Sequence, residues 1–182
     1  MPRFLNPANL ATLLRFALAP YVAWCVVEQR HLLALAVFFL AGLTDVIDGG
    51  LARRFGWTTP AGAYLDPIAD KVLLSTVYLC LAFAGGMPWW FVGMIFARDI
   101  LILAGAGLAL AFTSVRKFPP SRWGKLSTFL QIVAAIAWMT RNAFPSITLV
   151  ITARLLILPA ALATAWSGIH YAWRGVQLVR TR

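Results

Sequence analysis

Six long apolar runs dominate the chain, and short polar or turn-forming segments separate them. Read as helices, these runs are long enough for a bilayer hydrocarbon layer of about 30 Å. Three of the breaks contain turn-forming residues, at Gly85–Pro88, Phe118–Ser121 and Asn142–Pro145. The predicted spans are Leu10–Val27, Leu32–Phe55, Leu65–Ala84, Trp89–Phe112, Leu126–Thr140 and Leu155–Val176. The pattern predicts an all-α integral membrane bundle of six transmembrane helices, built as one domain over residues 1–182.

Composition supports a membrane protein and argues against a nucleic-acid-binding one. Of the 182 residues, 61% are hydrophobic and only 12% are charged, with a mean hydropathy of +0.79. Soluble domains carry about 25% charged residues. The net charge is +10, but the basic residues flank the apolar runs and form no continuous stripe, so nucleic acid is not an expected partner.

The basic residues also predict an orientation. Most of them fall on one side of the predicted bundle, and few fall on the other side, which includes Arg30 and Arg141. The positive-inside rule then places both termini, and the loop between the second and third spans, in the cytoplasm. We expect a multi-pass protein of a bacterial inner membrane.

Four of the six acidic residues lie within 26 positions, at Asp45, Asp48, Asp66 and Asp70. Carboxylates inside a membrane are costly and are functional by default. Asp45 and Asp48 share one helix face, as do Asp66 and Asp70, since residues three or four apart are neighbours on a helix. In antiparallel helices joined near residues 56–61, Asp48 and Asp70 lie about 12–14 Å from the turn at 1.5 Å per residue. Two carboxylate pairs therefore face each other at matching depth.

Facing carboxylates without nearby histidine or cysteine suit Mg²⁺ or Mn²⁺, ions that commonly bridge protein carboxylates and substrate phosphates. Small residues between the acids allow close approach of helices or of a pyrophosphate. Two other interpretations stay open from the residues alone. The acids could pair with Lys71, Arg53 and Arg98, or they could line an ion pathway, as in a small channel or transporter.

The acidic segment resembles a known family signature. Residues 45–53 read Asp-Val-Ile-Asp-Gly-Gly-Leu-Ala-Arg, and Gly62, Asp66 and Asp70 follow. This fits the pattern DxxDGxxAR(x8)GxxxDxxxD of the CDP-alcohol phosphatidyltransferases without a mismatch. The stretch from Asn9 to Arg15 also resembles the family's opening segment.

This resemblance implies a membrane enzyme of phospholipid biosynthesis, with six helices around a polar cavity that opens to the cytoplasm. It would bind CDP-diacylglycerol and two divalent ions, Mg²⁺ or Mn²⁺, and would form a homodimer. By resemblance, Asp45, Asp48, Asp66 and Asp70 ligate the metals, and Asp70 is also the base that deprotonates the acceptor hydroxyl. The implied CDP-diacylglycerol site contains Asp45, Asp48, Gly49, Ala52, Arg53 and Gly62.

The acceptor is less clearly indicated. The stretches Leu65–Lys71 and Gly124–Gln131 resemble the branch that uses glycerol-phosphate-type acceptors, whereas Arg98-Asp99 resembles cardiolipin synthases of the same fold. We expect glycerol 3-phosphate as acceptor, giving phosphatidylglycerophosphate, and phosphatidylglycerol, giving cardiolipin, is the alternative. The residues expected to bind the acceptor phosphate are Lys125, Arg116 and Arg122. Contact of these charges with lipid headgroups is the competing interpretation.

Overall fold

The computed structural model describes the backbone of residues 7–55, 60–112 and 121–180, and the side chains of residues 13–44, 68–105 and 121–173. Within these residues, all regular structure is α-helical. The helices are α1 Pro7–Val27, α2 His31–Phe55, α3 Pro60–Phe83, α4 Trp89–Phe112, α5 Arg122–Ala143 and α6 Ile147–Arg180. The prediction of an all-α chain with six helices in this order is confirmed.

The helix ends follow local sequence chemistry. Proline residues stand at the first positions of α1 and α3, where the missing backbone N–H costs no helical hydrogen bond. The predicted start of the sixth helix at Leu155 is wrong, because α6 begins at Ile147. Ser146 caps this helix by accepting a hydrogen bond from the backbone N–H of Leu149 at 3.3 Å. Arg154 is exposed on the surface of α6 and does not interrupt it.

The chain divides into two compact units. The first comprises Met1–Gly86 and Met139–Pro145, and in it α1 packs against both α2 and α3. Val22, Val26, Val77 and Tyr78 are fully buried in its core. Two side-chain amides fix its loops: Gln29 Nε2 donates to the carbonyl of Ala84 at 3.1 Å, and Asn142 Nδ2 donates to the carbonyl of Gly85 at 3.0 Å.

The second unit comprises Met87–Trp138 and Ser146–Arg182, and in it α4 packs against α6. A buried polar seam joins α5 to α6. Gln131 Nε2 donates to Thr164 Oγ1 at 3.0 Å, and the hydroxyls of Ser127 and Thr164 are 3.3 Å apart. Such interhelical hydrogen bonds associate helices whose outer surfaces are apolar.

Large apolar side chains point outward from all six helices in the described residues, among them Leu13, Leu40, Phe83, Leu103, Phe129 and Leu162. Within the described part of the chain, one helical segment, Ile147–Trp173, is both long and apolar enough to cross a membrane, with a mean hydropathy of 2.0. Shorter apolar helical segments occur at Leu13–Val27 and His31–Thr44. Six membrane spans therefore stay a prediction.

Gly85 provides a test of the packing in the first unit. A Cβ atom at this position would lie 2.9 Å from Asn142 Nδ2 and 3.0 Å from the backbone Cα of Leu81. We expect Gly85→Ala to destabilise the protein by about 1–3 kcal/mol, the usual cost of overpacking, seen as a lower Tm in detergent. Gly93→Ala is the matched control, because a Cβ there meets nothing within 4 Å. Equal Tm values for the two variants would contradict this packing.

Candidate active site

The acidic signature occupies α2 and α3. Asp45 and Asp48 belong to α2, and Asp66 and Asp70 belong to α3. Gly49, Ala52 and Arg53 are also on α2, and Gly62 is on α3. Of these eight residues, only Asp70 has a described side chain, and the arrangement of the other seven side chains lies outside the described residues.

Asp70 forms an ion pair with Arg15 of α1. Arg15 Nη1 donates to Asp70 Oδ1, and the pair joins two helices at positions 55 residues apart in sequence. Arg15 is buried, whereas the Asp70 side chain is 54% exposed. A buried charge is costly unless it is paired and hydrogen-bonded, so a buried arginine needs a partner. Asp70 thus combines a bond to a buried arginine with a largely exposed side chain.

A divalent cation fits the chemistry of this segment. The signature supplies only carboxylate oxygens, which are the ligands that Mg²⁺ and Mn²⁺ prefer. Asp70 has a carboxylate open to solvent, as a metal ligand requires. Among the described side chains, no group of three or more histidine, cysteine, aspartate or glutamate residues could hold a metal. Three of the four signature aspartates lie outside that set, so the metal site stays a prediction.

A second ion pair, in which both members are buried, organises the other unit. Arg98 of α4 donates through Nη1 to Asp99 Oδ1 at 2.9 Å, and both residues are buried. Its Nε and Nη2 atoms donate to Ser167 Oγ of α6 at 3.3 and 3.0 Å. The guanidinium carbon also lies 5.9 Å from the ring centre of Tyr171. Among the described side chains, Arg98 therefore forms its ion pair with its neighbour in sequence.

Tyr171 connects this cluster to the start of α5. Its hydroxyl accepts a hydrogen bond from the backbone N–H of Ser121 at 2.9 Å. Ser121 Oγ in turn accepts from the N–H of Gly124 at 3.0 Å, as a helix N-cap does. Gly124 is close-packed, since a Cβ atom there would lie 3.0 Å from the Tyr171 hydroxyl and 3.3 Å from Arg98 Nη2.

The residues expected to bind the acceptor phosphate lie at or before this helix start. Arg122 and Lys125 are on the first turn of α5, and both are exposed. The N-terminus of a helix favours anions, because its free N–H groups and dipole point toward the ligand. Arg116 lies outside the described residues.

A cavity of about 600 Å³ occupies a different part of the first unit. It lies at the turn between α1 and α2, and its polar lining includes Gln29, Arg30, His31 and Asn142. Burial lowers the pKa of His31. His31 precedes Asp45 by 14 positions on α2, about 21 Å at 1.5 Å per residue, so this cavity is remote from the signature.

Sequence reasoning missed the partner of Asp70. Arg15 entered only as part of the opening segment, although it is a lone arginine in an apolar run. It lies eight residues inside α1, about 12 Å along the axis, and Asp70 lies ten residues inside α3, about 15 Å. The similar distance of the two residues from the starts of their helices was the sequence signal that could have indicated this ion pair.

Comparisons with known proteins show the family of the chain. A family model described as CDP-alcohol phosphatidyltransferase matches residues 5–173. The chain is 33% identical over 181 residues to a Mycobacterium tuberculosis protein named probable phosphatidylglycerophosphate synthase, covering 96% of this chain and 84% of that one. It is 32% identical over 175 residues to the Haemophilus influenzae CDP-diacylglycerol–glycerol-3-phosphate 3-phosphatidyltransferase, covering 94% and 90%. Human cardiolipin synthase (CMP-forming) is 32% identical over 191 residues, which cover 94% of this chain and 63% of the human protein.

The helical fold, the acidic signature and these matches define a transferase of phospholipid biosynthesis. The chain belongs to the CDP-alcohol phosphatidyltransferase family. The family and the reaction class expected from the sequence are thereby confirmed.

The hydrogen bonds of Ser167 to Arg98 generate a prediction about the second unit. Ser167→Ala leaves two buried guanidinium N–H groups without this acceptor, which costs about 1–3 kcal/mol for an unsatisfied buried donor. We expect a clear decrease in Tm in detergent. The control is Thr152→Ala on the same helix, because Thr152 is exposed and its change is expected to leave Tm nearly unaltered. Similar Tm values for both variants would contradict a supporting role for Ser167.

Proposed function

We propose that the protein transfers a phosphatidyl group from CDP-diacylglycerol to glycerol 3-phosphate, giving phosphatidylglycerophosphate and CMP. The observation that carries the proposal is the environment of Asp70, the last residue of the family signature. Its carboxylate accepts a hydrogen bond from a buried arginine, and its side chain is 54% exposed. This suits a group that must both bind ligands and accept a proton.

In the proposed reaction, the acceptor hydroxyl oxygen attacks the phosphatidyl phosphorus in line with the bond to CMP. The new P–O bond forms, the phosphoanhydride bond breaks, and its electron pair leaves on the CMP phosphate. Asp70 accepts the hydroxyl proton. Positioning and charge stabilisation supply most of the catalysis in phosphoryl transfer, so the distance from Asp70 to the hydroxyl matters more than its basicity.

Asp45, Asp48, Asp66 and Asp70 would hold two divalent ions, Mg²⁺ or Mn²⁺. When bound, such ions neutralise charge on the pyrophosphate and acidify a nearby hydroxyl. Asp45, Asp48, Gly49, Ala52, Arg53 and Gly62 would form the CDP-diacylglycerol site. The small residues allow close approach of the substrate pyrophosphate. The Arg53 guanidinium is suited to binding phosphate oxygens.

Lys125, Arg122 and Arg116 are proposed to bind the acceptor phosphate. Exposure of Lys125 and Arg122 at the capped start of α5 supports this role. The names of the relatives from M. tuberculosis and H. influenzae, each matched over more than four fifths of its length, support glycerol 3-phosphate as acceptor. The human relative named cardiolipin synthase supports phosphatidylglycerol as the second candidate.

We further propose that all six helices cross the bilayer as one membrane domain, with both termini and the acidic cavity on the cytoplasmic side. The exposed apolar side chains on each helix support burial of these surfaces in lipid. The protein would be a homodimer in a bacterial inner membrane, a location supported by the bacterial relatives.

The base role of Asp70 gives a direct prediction. Asp70→Asn retains the size of the side chain but cannot accept the proton, so transfer is expected to fall by at least about 10²-fold, the usual contribution of general base catalysis. Binding of CDP-diacylglycerol, measured with purified protein in detergent, is expected to persist. If nucleotide binding falls as severely as turnover, Asp70 has no separate role as base.

A comparison of acceptors tests the reaction itself. Purified protein is given CDP-diacylglycerol and Mg²⁺ or Mn²⁺, with glycerol 3-phosphate or phosphatidylglycerol, and release of CMP is measured. We expect release with glycerol 3-phosphate, little with phosphatidylglycerol and none without metal. Release with phosphatidylglycerol alone would favour cardiolipin synthesis. Release at the same rate without any acceptor would refute acceptor-dependent transfer.

A further inference from the structure

The residue that precedes α5 is bonded to α6. Ser121 is buried, and its backbone N–H donates to the hydroxyl of Tyr171 on α6 at 2.9 Å. Its Oγ accepts a hydrogen bond from the N–H of Gly124 at 3.0 Å, and its carbonyl accepts one from the N–H of Lys125 at 3.1 Å. A helix cap needs only the last two of these bonds. The bond to Tyr171 adds something different, because it fixes the first turn of α5 relative to a second helix.

Tyr171 is itself held in place by its neighbours. The Arg98 guanidinium carbon lies 5.9 Å from the centre of its ring, and Arg98 is bonded in turn to Ser167, one turn earlier on α6. Gly124 packs against the same ring, since a Cβ atom there would lie 3.0 Å from the hydroxyl oxygen and 3.2 Å from Cε2. The hydroxyl therefore has little room to move, and its bond to Ser121 defines the position of the start of α5.

This turn carries two exposed cations, Arg122 and Lys125. Both have long, flexible side chains, so the place where their charged groups meet a ligand depends on where their backbone is held. The rings of Trp123 and Trp166 also join α5 to α6, edge to face with centroids 6.0 Å apart, but both are exposed, so that lipid or detergent can replace either ring. Ser121 is buried, and the loss of its bond to Tyr171 is less easily replaced.

We propose that Tyr171 is a positioning residue for the acceptor. It holds Ser121, and through Ser121 the backbone of Lys125, so that Arg122 and Lys125 stand where the acceptor phosphate binds. Tyr171 touches no reacting atom in this role. The inference rests on the proposed acceptor site, but it holds for either acceptor, since glycerol 3-phosphate and phosphatidylglycerol both carry a phosphate.

A positioning role predicts a specific kinetic effect. Interactions that bind a substrate equally in the ground state and in the transition state contribute to KM and leave kcat unchanged. Binding of the acceptor phosphate is of this kind, because the phosphate is not the reacting group of the acceptor. A purely structural role would instead lower Tm and the amount of active enzyme, and would leave the acceptor KM at its wild-type value.

The test is steady-state kinetics of the full-length protein in detergent, in which CMP release is measured with the acceptor that supports it. Tyr171→Phe keeps the ring and removes only the hydroxyl that accepts from Ser121. We expect the acceptor KM to rise by roughly three- to tenfold, the usual effect of one hydrogen bond on an equilibrium. The kcat and the KM for CDP-diacylglycerol are expected to stay unchanged. An unchanged acceptor KM would overturn the inference.

A double-mutant cycle separates this inference from the proposed acceptor site. The variant that combines Arg122→Gln with Lys125→Gln is expected to have a raised acceptor KM. If Tyr171 acts through these two cations, adding Tyr171→Phe to that variant raises the KM little further. A further rise as large as in the wild-type background would overturn the inference. A wild-type KM in the variant without the two cations would instead refute the proposed acceptor site, and the inference with it.

Two control variants alter α6 beside Tyr171 without touching the bond to Ser121. Ser167→Ala removes the hydrogen bonds to Arg98 and is expected to lower Tm, and Trp166→Leu removes the ring contact with Trp123. Both are expected to keep the wild-type acceptor KM. A rise in either control equal to that of Tyr171→Phe would show that any loosening of α6 has this effect, and would contradict a specific role of Tyr171.

Ser121→Ala tests the same turn with α6 unaltered. It removes the Oγ that accepts from Gly124, so the first turn of α5 is held less firmly, and the acceptor KM is again expected to rise. If Tyr171→Phe gives no cooperative melting transition, Ser121→Ala decides the matter. An acceptor KM equal to that of the wild type in Ser121→Ala would then overturn the inference.

Discussion

The structure depends on ion pairs that neutralise charged side chains buried among apolar helices. With 12% charged residues and apolar side chains on its outer surface, this chain has few groups that can neutralise a buried ion. Among the described side chains, each unit has a buried arginine that meets an aspartate: Arg15 pairs with Asp70, and Arg98 pairs with Asp99. Removing one partner of a buried ion pair costs far more stability than replacing both partners by apolar residues. These two pairs therefore constrain how the helices can pack.

The two units use their polar groups differently. In the second unit, Arg98, Ser167 and the seam of Ser127, Gln131 and Thr164 are all buried and hydrogen-bonded to one another or to backbone. Such groups lock helices together and present little to a ligand. In the first unit, the pair formed by Arg15 and Asp70 has one exposed member. The buried polar groups of the second unit thus act as scaffold, whereas Asp70 has an exposed side chain.

Sequence reasoning succeeded where a repeating pattern or a fixed spacing carried the information. The apolar runs predicted six helices, and the signature from Asp45 to Asp70 predicted the family. It failed where contacts join residues distant in sequence. Arg15 meets Asp70 across 55 positions, and Arg98 meets Ser167 across 69, and no spacing rule relates such positions. The start of α6 was also misplaced, because an exposed charge such as Arg154 does not end a helix.

The environment of Arg98 changes what the sequence pair Arg98-Asp99 can mean for acceptor choice. As a sequence feature, it favoured a cardiolipin synthase over a glycerophosphate-type enzyme. In the structure, Asp99 lies within 2.9 Å of the guanidinium beside it, and Ser167 occupies two further N–H groups. A guanidinium held in this way has a framework role and offers little to a substrate phosphate. The pair Arg98-Asp99 therefore gives little ground for preferring one acceptor over the other, because its guanidinium is already occupied by buried bonds.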